Sequence, residues 1–508
     1  MADDVVQEVF EMTLVALFAC CLDEVGEKGN SLDNRWKKKV IQRCCDSNPK
    51  SKSFLQPWLE NDVQLTPEPL LKWFRSRDQE KVETRRRSNG VRNLVENVIK
   101  TGTYDARVRV ALKQIAKDLN VSWAAHIAPF ENFLASTLVS SSSSSPADVI
   151  AVNTNNNNGW SASRIIAVSA AAVLGGTAIA LTAGAAAPFL APVVGAIFAT
   201  NAAASVALSV GLFGAAGAGL TGYKMADRTR RGLIEFFFEQ INRGEPTTTT
   251  PPPSLHVVIG ISGTMETDDV EMLKDYWYRA LSFEIETKTE HGWSDVFTLV
   301  YDRKPLMEYS KSISNLLADQ VVSYAYSYFL KQVVGHALMA AVSLPLTVVN
   351  ASDMINNSFV SCERRSQDAG MELGAALRRG CQGARPVTLI GYGFGGLAIF
   401  FALELLAKEQ AFGIVEDVVI IGTPLRASFA RWENVRRIVA GKFINVYCPD
   451  DWTLKLVMEW SVSSFPVAGV EPINVRRIND HPIAVSHYRI GADGGKVMCK
   501  LLQEVLAE

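Results

Sequence analysis

The sequence predicts an α/β fold at its centre, a mostly parallel sheet with helices on both faces over residues 255–508, preceded by a helical N-terminal domain and an apolar helical hairpin. Three observations carry this prediction. From Leu255 onward, short apolar runs alternate with helical patterns, the order expected of parallel strands joined by crossover helices. The run Ile165 to Tyr223 contains no Asp, Glu, Lys or Arg through 59 positions, enough for two membrane spans of ~20 residues and a turn. Residues 1–139 place apolar side chains at three- and four-residue spacing, the pattern of amphipathic helices.

Composition narrows the function classes. The chain has 508 residues, 48% of them hydrophobic, and a net charge of -2, so it has material for a large core and no global field that would draw it to nucleic acid. The start, MADDVVQEVF, is acidic and lacks the basic flank and cleavage site of a secretory signal. Eight cysteines show neither C-x-x-C nor metal-finger spacing, so reduced thiols are expected and neither a metal nor a cofactor is called for. The pairs Cys20-Cys21 and Cys44-Cys45 are also candidates for acylation.

In chain order, helical patterns run over Val5–Leu22, Trp36–Cys45, Pro69–Arg75, Val91–Ile99 and Ala106–Leu119. The basic run Arg85-Arg86-Arg87, with Arg92 and Lys100, reads as a solvated helix face or as a contact for anionic headgroups. Residues 140–163 form a Ser- and Asn-biased linker with too little apolar surface to order itself. Residues 164–223 are the hairpin, rich in Gly and Ala, broken at Ala187-Pro188-Phe189-Leu190-Ala191-Pro192; small residues let two helices approach closely in lipid. Arg164 before it and Lys224, Arg228, Arg230 and Arg231 after it leave both ends in the cytosol by the positive-inside rule. Residues 224–254 are expected to hold an aromatic-rich helix over Gly232–Ile241 and a Thr/Pro linker. Strands are then predicted at His256–Ile261, Val296–Tyr301, Val387–Ile390, Val418–Ile421 and Phe443–Tyr447, with helices at Val270–Leu281, Glu363–Arg379 and Leu397–Leu406. The insert Lys304–Ser361 is longer than an ordinary crossover; its apolar part, Val333–Val349, reads as a buried helix, a lid or a membrane-dipping segment.

The chemistry concentrates at PVTLIGYGFGGLAIFFALELL, Pro386 to Leu406, which reads as strand, sharp turn and helix. Its turn has the frame of the G-x-S-x-G nucleophile elbow of α/β-hydrolases, where a strained turn lifts a serine above the sheet. Gly391, Tyr392, Phe394 and Gly395 keep the frame, but the nucleophile position is Gly393, which has no attacking atom. Gly391, Gly393 and Gly396 also fit the dinucleotide pattern G-x-G-x-x-G, which expects an acid at the end of the next strand to hold a ribose. Glu416 and Asp417 have about the right spacing but precede that strand.

Hydrolase chain order places an acid and then a histidine after the elbow. Asp450-Asp451 closes the strand ending near Cys448, and either aspartate suits the orientation of an imidazole or the capping of a helix from Trp452; Asp451 is favoured. His487 in AVSHYRI is the better base candidate, since the competing His481 precedes Pro482. The loop after the first strand, Gly260-Ile261-Ser262-Gly263-Thr264, is placed to present backbone N–H groups, those of Ser262 and Gly263, opposite that of Phe394, as an oxyanion hole would require.

Taken together, YDARVR at Tyr104–Arg109, the Gly/Ala hairpin followed by Lys224-Met225, LHVVIGISG at Leu255–Gly263, RPVTLIGYGFG at Arg385–Gly395, NVYCPDDW at Asn445–Trp452 and SHYRI at Ser486–Ile490 resemble the transmembrane and coiled-coil domain-containing, hydrolase-like family long catalogued as a domain of unknown function. The resemblance implies an α/β-hydrolase fold on a transmembrane hairpin, a lipase-like site and, for some members, a place in membrane trafficking. In that family the elbow carries serine, and this chain departs at Gly393. The expected function is a membrane-anchored pseudohydrolase that binds a lipid or acyl ligand or a trafficking protein partner. The alternatives are a working lipase or esterase of unusual mechanism, a purely structural membrane protein, and dinucleotide binding through the glycines.

Overall fold

A computed structural model describes residues 2–25, 31–45, 49–61, 65–76, 81–100, 104–142, 212–213, 220, 232–241, 254–282, 294–318, 346–458, 465–492 and 494–507. The N-terminal part is helical, with α1 (Ala2–Val25), α2 (Ser31–Cys45), α3 (Pro49–Asn61), α4 (Pro67–Arg75), α5 (Lys81–Lys100), α6 (Ala106–Asp118) and α7 (Ala128–Ser142) around one apolar core. Helix α6 begins where Asp105, in extended conformation, accepts from the Arg107 and Val108 amides, satisfying donors that have no intrahelical partner. All four N-terminal cysteines are buried. Burial pushes the Cys20 thiol up to about 12, with Asp23 and Glu24 adding to the effect, a setting that suits packing better than acylation.

The basic run is partly structural. Arg87 is buried and donates to the Leu119 and Phe74 carbonyls, while Arg92 donates to the His126 carbonyl. Neither is a plain solvated side chain.

Among the described residues seven strands follow: β1 (Phe236–Gln240), β2 (Val257–Ile261), β3 (Asp295–Tyr301), β4 (Val387–Tyr392), β5 (Val415–Ile421), β6 (Phe443–Tyr447) and β7 (Asn479–Pro482), in the order β1-β3-β2-β4-β5-β6-β7. All neighbours are parallel except β1 against β3. Strands β2 to β5 are buried along their whole length, as a sheet covered on both faces requires. The predicted helix Gly232–Ile241 is therefore corrected to an edge strand. Phe236 and Phe238 face inward while Phe237, Glu239 and Gln240 are only partly buried, a near period-2 pattern that pairing with β3 stabilises.

Other expected elements keep their type with shifted bounds, the helix Leu346–Arg378 extending well before Glu363. The insert after β3 opens with a helix, Arg303–Ala318. Most of the hairpin and most of the span Val333–Val349 lie outside the described residues. Leu212, Phe213 and Leu220 are described and buried in protein cores, with Arg385 5.2 Å from the Phe213 ring centre. Among the described residues no helix is long and apolar enough to cross a membrane.

The two parts of the chain meet through the YDARVR segment. Ala106 N–H donates to the Gly413 carbonyl. Arg109, 1% exposed, holds Glu131 of α7 through Nε and Nη2 at 3.0 and 3.1 Å and Glu416 of β5 through Nη1 at 2.7 Å. Lys113 adds a 2.9 Å bond to the same Glu416 oxygen. Burial opposes ionisation of Glu416, but Arg109, Lys113 and His256 outweigh it and hold the carboxyl well below the usual carboxylate range.

Candidate functional site

The sheet order reverses between β2 and β4, with β3 on one side and β5 on the other. In open α/β sheets the crevice beyond the strand C-termini at such a point is where ligands bind. The loop Ser262-Gly263-Thr264 leaves β2 there and Gly393 leaves β4 beside it.

Gly393 has φ 52° and ψ -124° and directly precedes the helix Phe394–Lys408. This strand-to-helix turn has the backbone conformation that an elbow would need, in a region that side chains adopt only under constraint. A side chain there would nonetheless have room, because a Cβ on Gly393 would meet nothing nearer than Gly263 Cα at 3.7 Å. The position is vacant chemically and open sterically. Gly263 is the opposite case: a Cβ there would run into the Tyr392 carbonyl oxygen and the Phe394 nitrogen. Only glycine lets the two loops touch. Phe394 N–H, at the first helical position, has no intrahelical acceptor, which is the arrangement an oxyanion hole uses. The Ser262 hydroxyl accepts from Trp277 Nε1 at 3.0 Å, so its side chain serves the core.

Asp451 and His487 are paired. Asp451 Oδ2 accepts from both the backbone N–H and Nδ1 of His487 at 2.7 Å, with the two side chains 0% and 2% exposed. Asp451 Oδ1 accepts from the Thr453 hydroxyl at 2.6 Å and Leu454 N–H at 3.0 Å, so the residue caps the helix Trp452–Met458 as well as orienting the imidazole. Asp450 is exposed. Burial opposes the Asp451 charge, but His487 and the bonds from His487 and Thr453 hold the carboxyl well below the usual carboxylate range. His481 lies on β7 and is aligned with Val446.

Gly393 and His487 converge through one neighbour. Gly393 N–H donates to the Ile421 carbonyl at 2.8 Å, and a Cβ on the next residue, Gly422, would lie 2.6 Å from His487 Cβ. The free edge of the imidazole is not left for a residue at 393. Tyr309, on the helix Arg303–Ala318, places its hydroxyl 3.2 Å from His487 Nε2. A carboxylate only accepts, so His487 Nδ1 carries the hydrogen toward Asp451, and neutral imidazole then offers Nε2 as acceptor to the Tyr309 O–H. Burial, helped by the Asp451 charge, raises the Tyr309 phenol well above its ordinary value, which keeps that proton in place. Tyr309 also packs edge-on to Phe394 at 5.0 Å and beside Phe359 at 6.1 Å between ring centres.

Sequence reasoning missed Tyr309. Its available signal was the spacing of Leu306, Tyr309 and Ile313, all buried on one helix face. The dinucleotide pattern finds no support in the placement of its acid. Glu416 and Asp417 sit at the start of β5, with Glu416 committed to Arg109, while β5 ends in Ile421-Gly422-Thr423.

The family model described as a protein of unknown function, DUF726, matches residues 161–491. An uncharacterized membrane protein of Caenorhabditis elegans is 30% identical over 446 residues, covering 86% of this chain and 69% of that one. A transmembrane and coiled-coil domain-containing protein of Oryza sativa subsp. japonica, STS1, is 34% identical over 397 residues, 73% of this chain and 56% of its own. A probable lipase of Saccharomyces cerevisiae, MIL1, is 27% identical over 221 residues, 42% of this chain and 20% of its own. This chain thus spans little more than half of the rice protein and a fifth of the yeast one. No solved structure matches. With that match covering most of its length, the chain belongs to the DUF726 family.

Proposed function

We propose that this chain is a membrane-associated, α/β-hydrolase-like protein whose lipase-like site no longer hydrolyses acyl bonds and instead holds a lipid or acyl ligand. One observation carries the reading: the acid–base pair Asp451–His487 is retained, the elbow holds Gly393, and the Tyr309 hydroxyl occupies the imidazole nitrogen that a serine would use. Support for the lipase-like ancestry comes from the likeness to MIL1. Support for membrane association comes from relatives named as membrane proteins and from the uncharged run Ile165–Tyr223. The burial of Leu212, Phe213 and Leu220 in protein cores favours a membrane part that ends before Leu212. Tyr309, Phe359 and Phe394 pack against one another beside the pair, so an acyl chain would be met by aromatic surface, and a trafficking role for the bound form would follow from the family resemblance.

The second reading, a working hydrolase, is favoured by the intact Asp451–His487 pair, which can activate water. Removing a triad serine leaves only about 10³- to 10⁴-fold over the uncatalysed rate. Purified wild-type chain in detergent is to be tested with a fluorophosphonate serine probe, with short-chain esters and by lipid extraction. Bound lipid with no labelling and no turnover is the expected result. Ester turnover abolished by His487→Ala would replace this proposal with the second reading.

A further inference from the structure

A second cavity lies on the opposite edge of the sheet from Gly393, against the starts of β5, β6 and β7. It has a volume of about 1240 Å³ and is walled on one side by α1 and α6 and on the other by Asp417, Lys442 and the segment Arg476-Arg477. Seven lysine and arginine side chains line it against three carboxylates. The chain as a whole carries a net charge of -2, so this local excess of cations is not a sample of the overall surface.

One of the three carboxylates, Asp417, is partly spent. Asp417 Oδ1 accepts from the Lys442 N–H and its Oδ2 lies 3.5 Å from Lys113 Nζ, and Lys113 is bonded to Glu416 as well. Beneath the cavity Arg436 is buried, with its guanidinium bonded to the carbonyls of Arg477, Val439 and Gly441. Those dipoles satisfy its hydrogens without cancelling its charge. Burial, with Arg477 adding to it, draws the Arg436 guanidinium down to about 10 despite Asp417, the response of a cation under-compensated by neighbours. Lys117, Lys442, Arg476 and Arg477 are exposed around this base. A concave wall of one sign concentrates field and counter-ions, and a spread of guanidinium and ammonium groups over one cavity matches several phosphates better than one carboxylate.

We infer that this cavity binds a compact, multiply phosphorylated anion of the inositol-polyphosphate type, free or as the headgroup of a membrane lipid. The ligand would bridge α6 and the loop before β7, bracing the same joint that Arg109 holds from inside. The site is separate from the Asp451–His487 pair, so its occupation does not depend on whether the elbow is active. It gives the α/β part a second point at which a phosphoinositide-bearing surface is recognised, or through which a soluble phosphate stabilises the two-part assembly.

The test uses the full chain in detergent, with inositol hexakisphosphate as soluble probe, read by calorimetry and by thermal melting. Saturable binding with a rise in melting temperature is expected, because a ligand of the folded state alone stabilises it. Affinity should fall as NaCl rises, since the contacts are ionic and partly exposed. The double reversal Lys442→Glu/Arg476→Glu alters exposed side chains and should leave the ligand-free melting temperature within a few degrees while weakening the probe about tenfold or more. The charge-conserving Lys442→Arg/Arg476→Lys should retain most of the affinity. Vesicles carrying a few per cent phosphatidylinositol bisphosphate, against phosphatidylserine vesicles of matched charge, separate the sources. Capture by the first and not the second, competed by the soluble probe, assigns a lipid headgroup; soluble binding without vesicle capture assigns a free phosphate. No saturable binding of either kind, or equal binding by the double reversal, would overturn the proposal.

Discussion

Gly393→Ser tests the geometry most directly, because every term can be read from the structure. The new Cβ would approach Gly263 Cα at 3.7 Å, an ordinary contact, so no clash is expected. What remains is backbone strain, since serine must adopt φ 52° at a cost of about 1 to 3 kcal/mol. For an α/β part of this size that lowers the melting temperature by roughly 2 to 12 °C. The new hydroxyl must then compete with Tyr309 for His487 Nε2. A buried hydrogen bond contributes about 0.5 to 1.5 kcal/mol net, so adding Tyr309→Phe should raise activity over the single mutant by roughly 2- to 10-fold. The assay is ester turnover and fluorophosphonate labelling of wild type, Gly393→Ser, Gly393→Ser/Tyr309→Phe and Gly393→Ser/His487→Ala. Activity is expected in that order: none, low, higher, none. A folded double mutant with Tyr309→Phe that neither labels nor turns over ester would refute the idea that Gly393 occupies a preserved nucleophile position. Turnover that survives His487→Ala would refute the assignment of the base.

Arg109→Ala leaves Glu131 and Glu416 buried without their main partner, and should cost about 3 to 5 kcal/mol, seen as a lowered urea midpoint and exposure of the joint to protease; a loss under about 1 kcal/mol would contradict the role given to that network. Asp451 and Glu416 both have folded-state pKa values below their unfolded ones, so their stabilisation is fully present above the unfolded values near 4 and is lost as pH falls through the folded ones. Acid unfolding followed by circular dichroism should therefore begin below about pH 4, and Asp451→Asn, which removes one of the depressed carboxyls, should be less stable at neutral pH and lose that part of the acid dependence. For the uncharged run, carbonate washing should leave the full chain in the membrane pellet and deletion of residues 165–211 should release it; release of the intact chain by carbonate alone would defeat the membrane reading.

Much of the site was legible in the sequence because its parts are local. An apolar strand followed by Gly391-Tyr392-Gly393-Phe394-Gly395 can form only a tight strand-to-helix turn, and a parallel sheet puts the ends of β2, β4 and β6 on one edge whatever the intervening helices do. The parallel arrangement of the central strands and the glycine at position 393 follow from the residues alone, whereas the edge strands β1 and β7 do not. Which aspartate meets His487 did not, because adjacent positions point in different directions and only the burial of Asp451 against His487 separates them. Nor did the state of Phe236-Phe237-Phe238, where a three-residue aromatic run fits helix or strand until β3 offers it backbone partners. Tyr309, Arg109 and the cationic cavity are assembled from segments far apart in the chain: Tyr309 and His487 are separated by 178 positions, Arg109 and Glu416 by 307. Periodicity and motif spacing report the neighbours of a residue along its own element, whereas buried charge pairs and shared cavities are decided by which elements the sheet and the helical core press together.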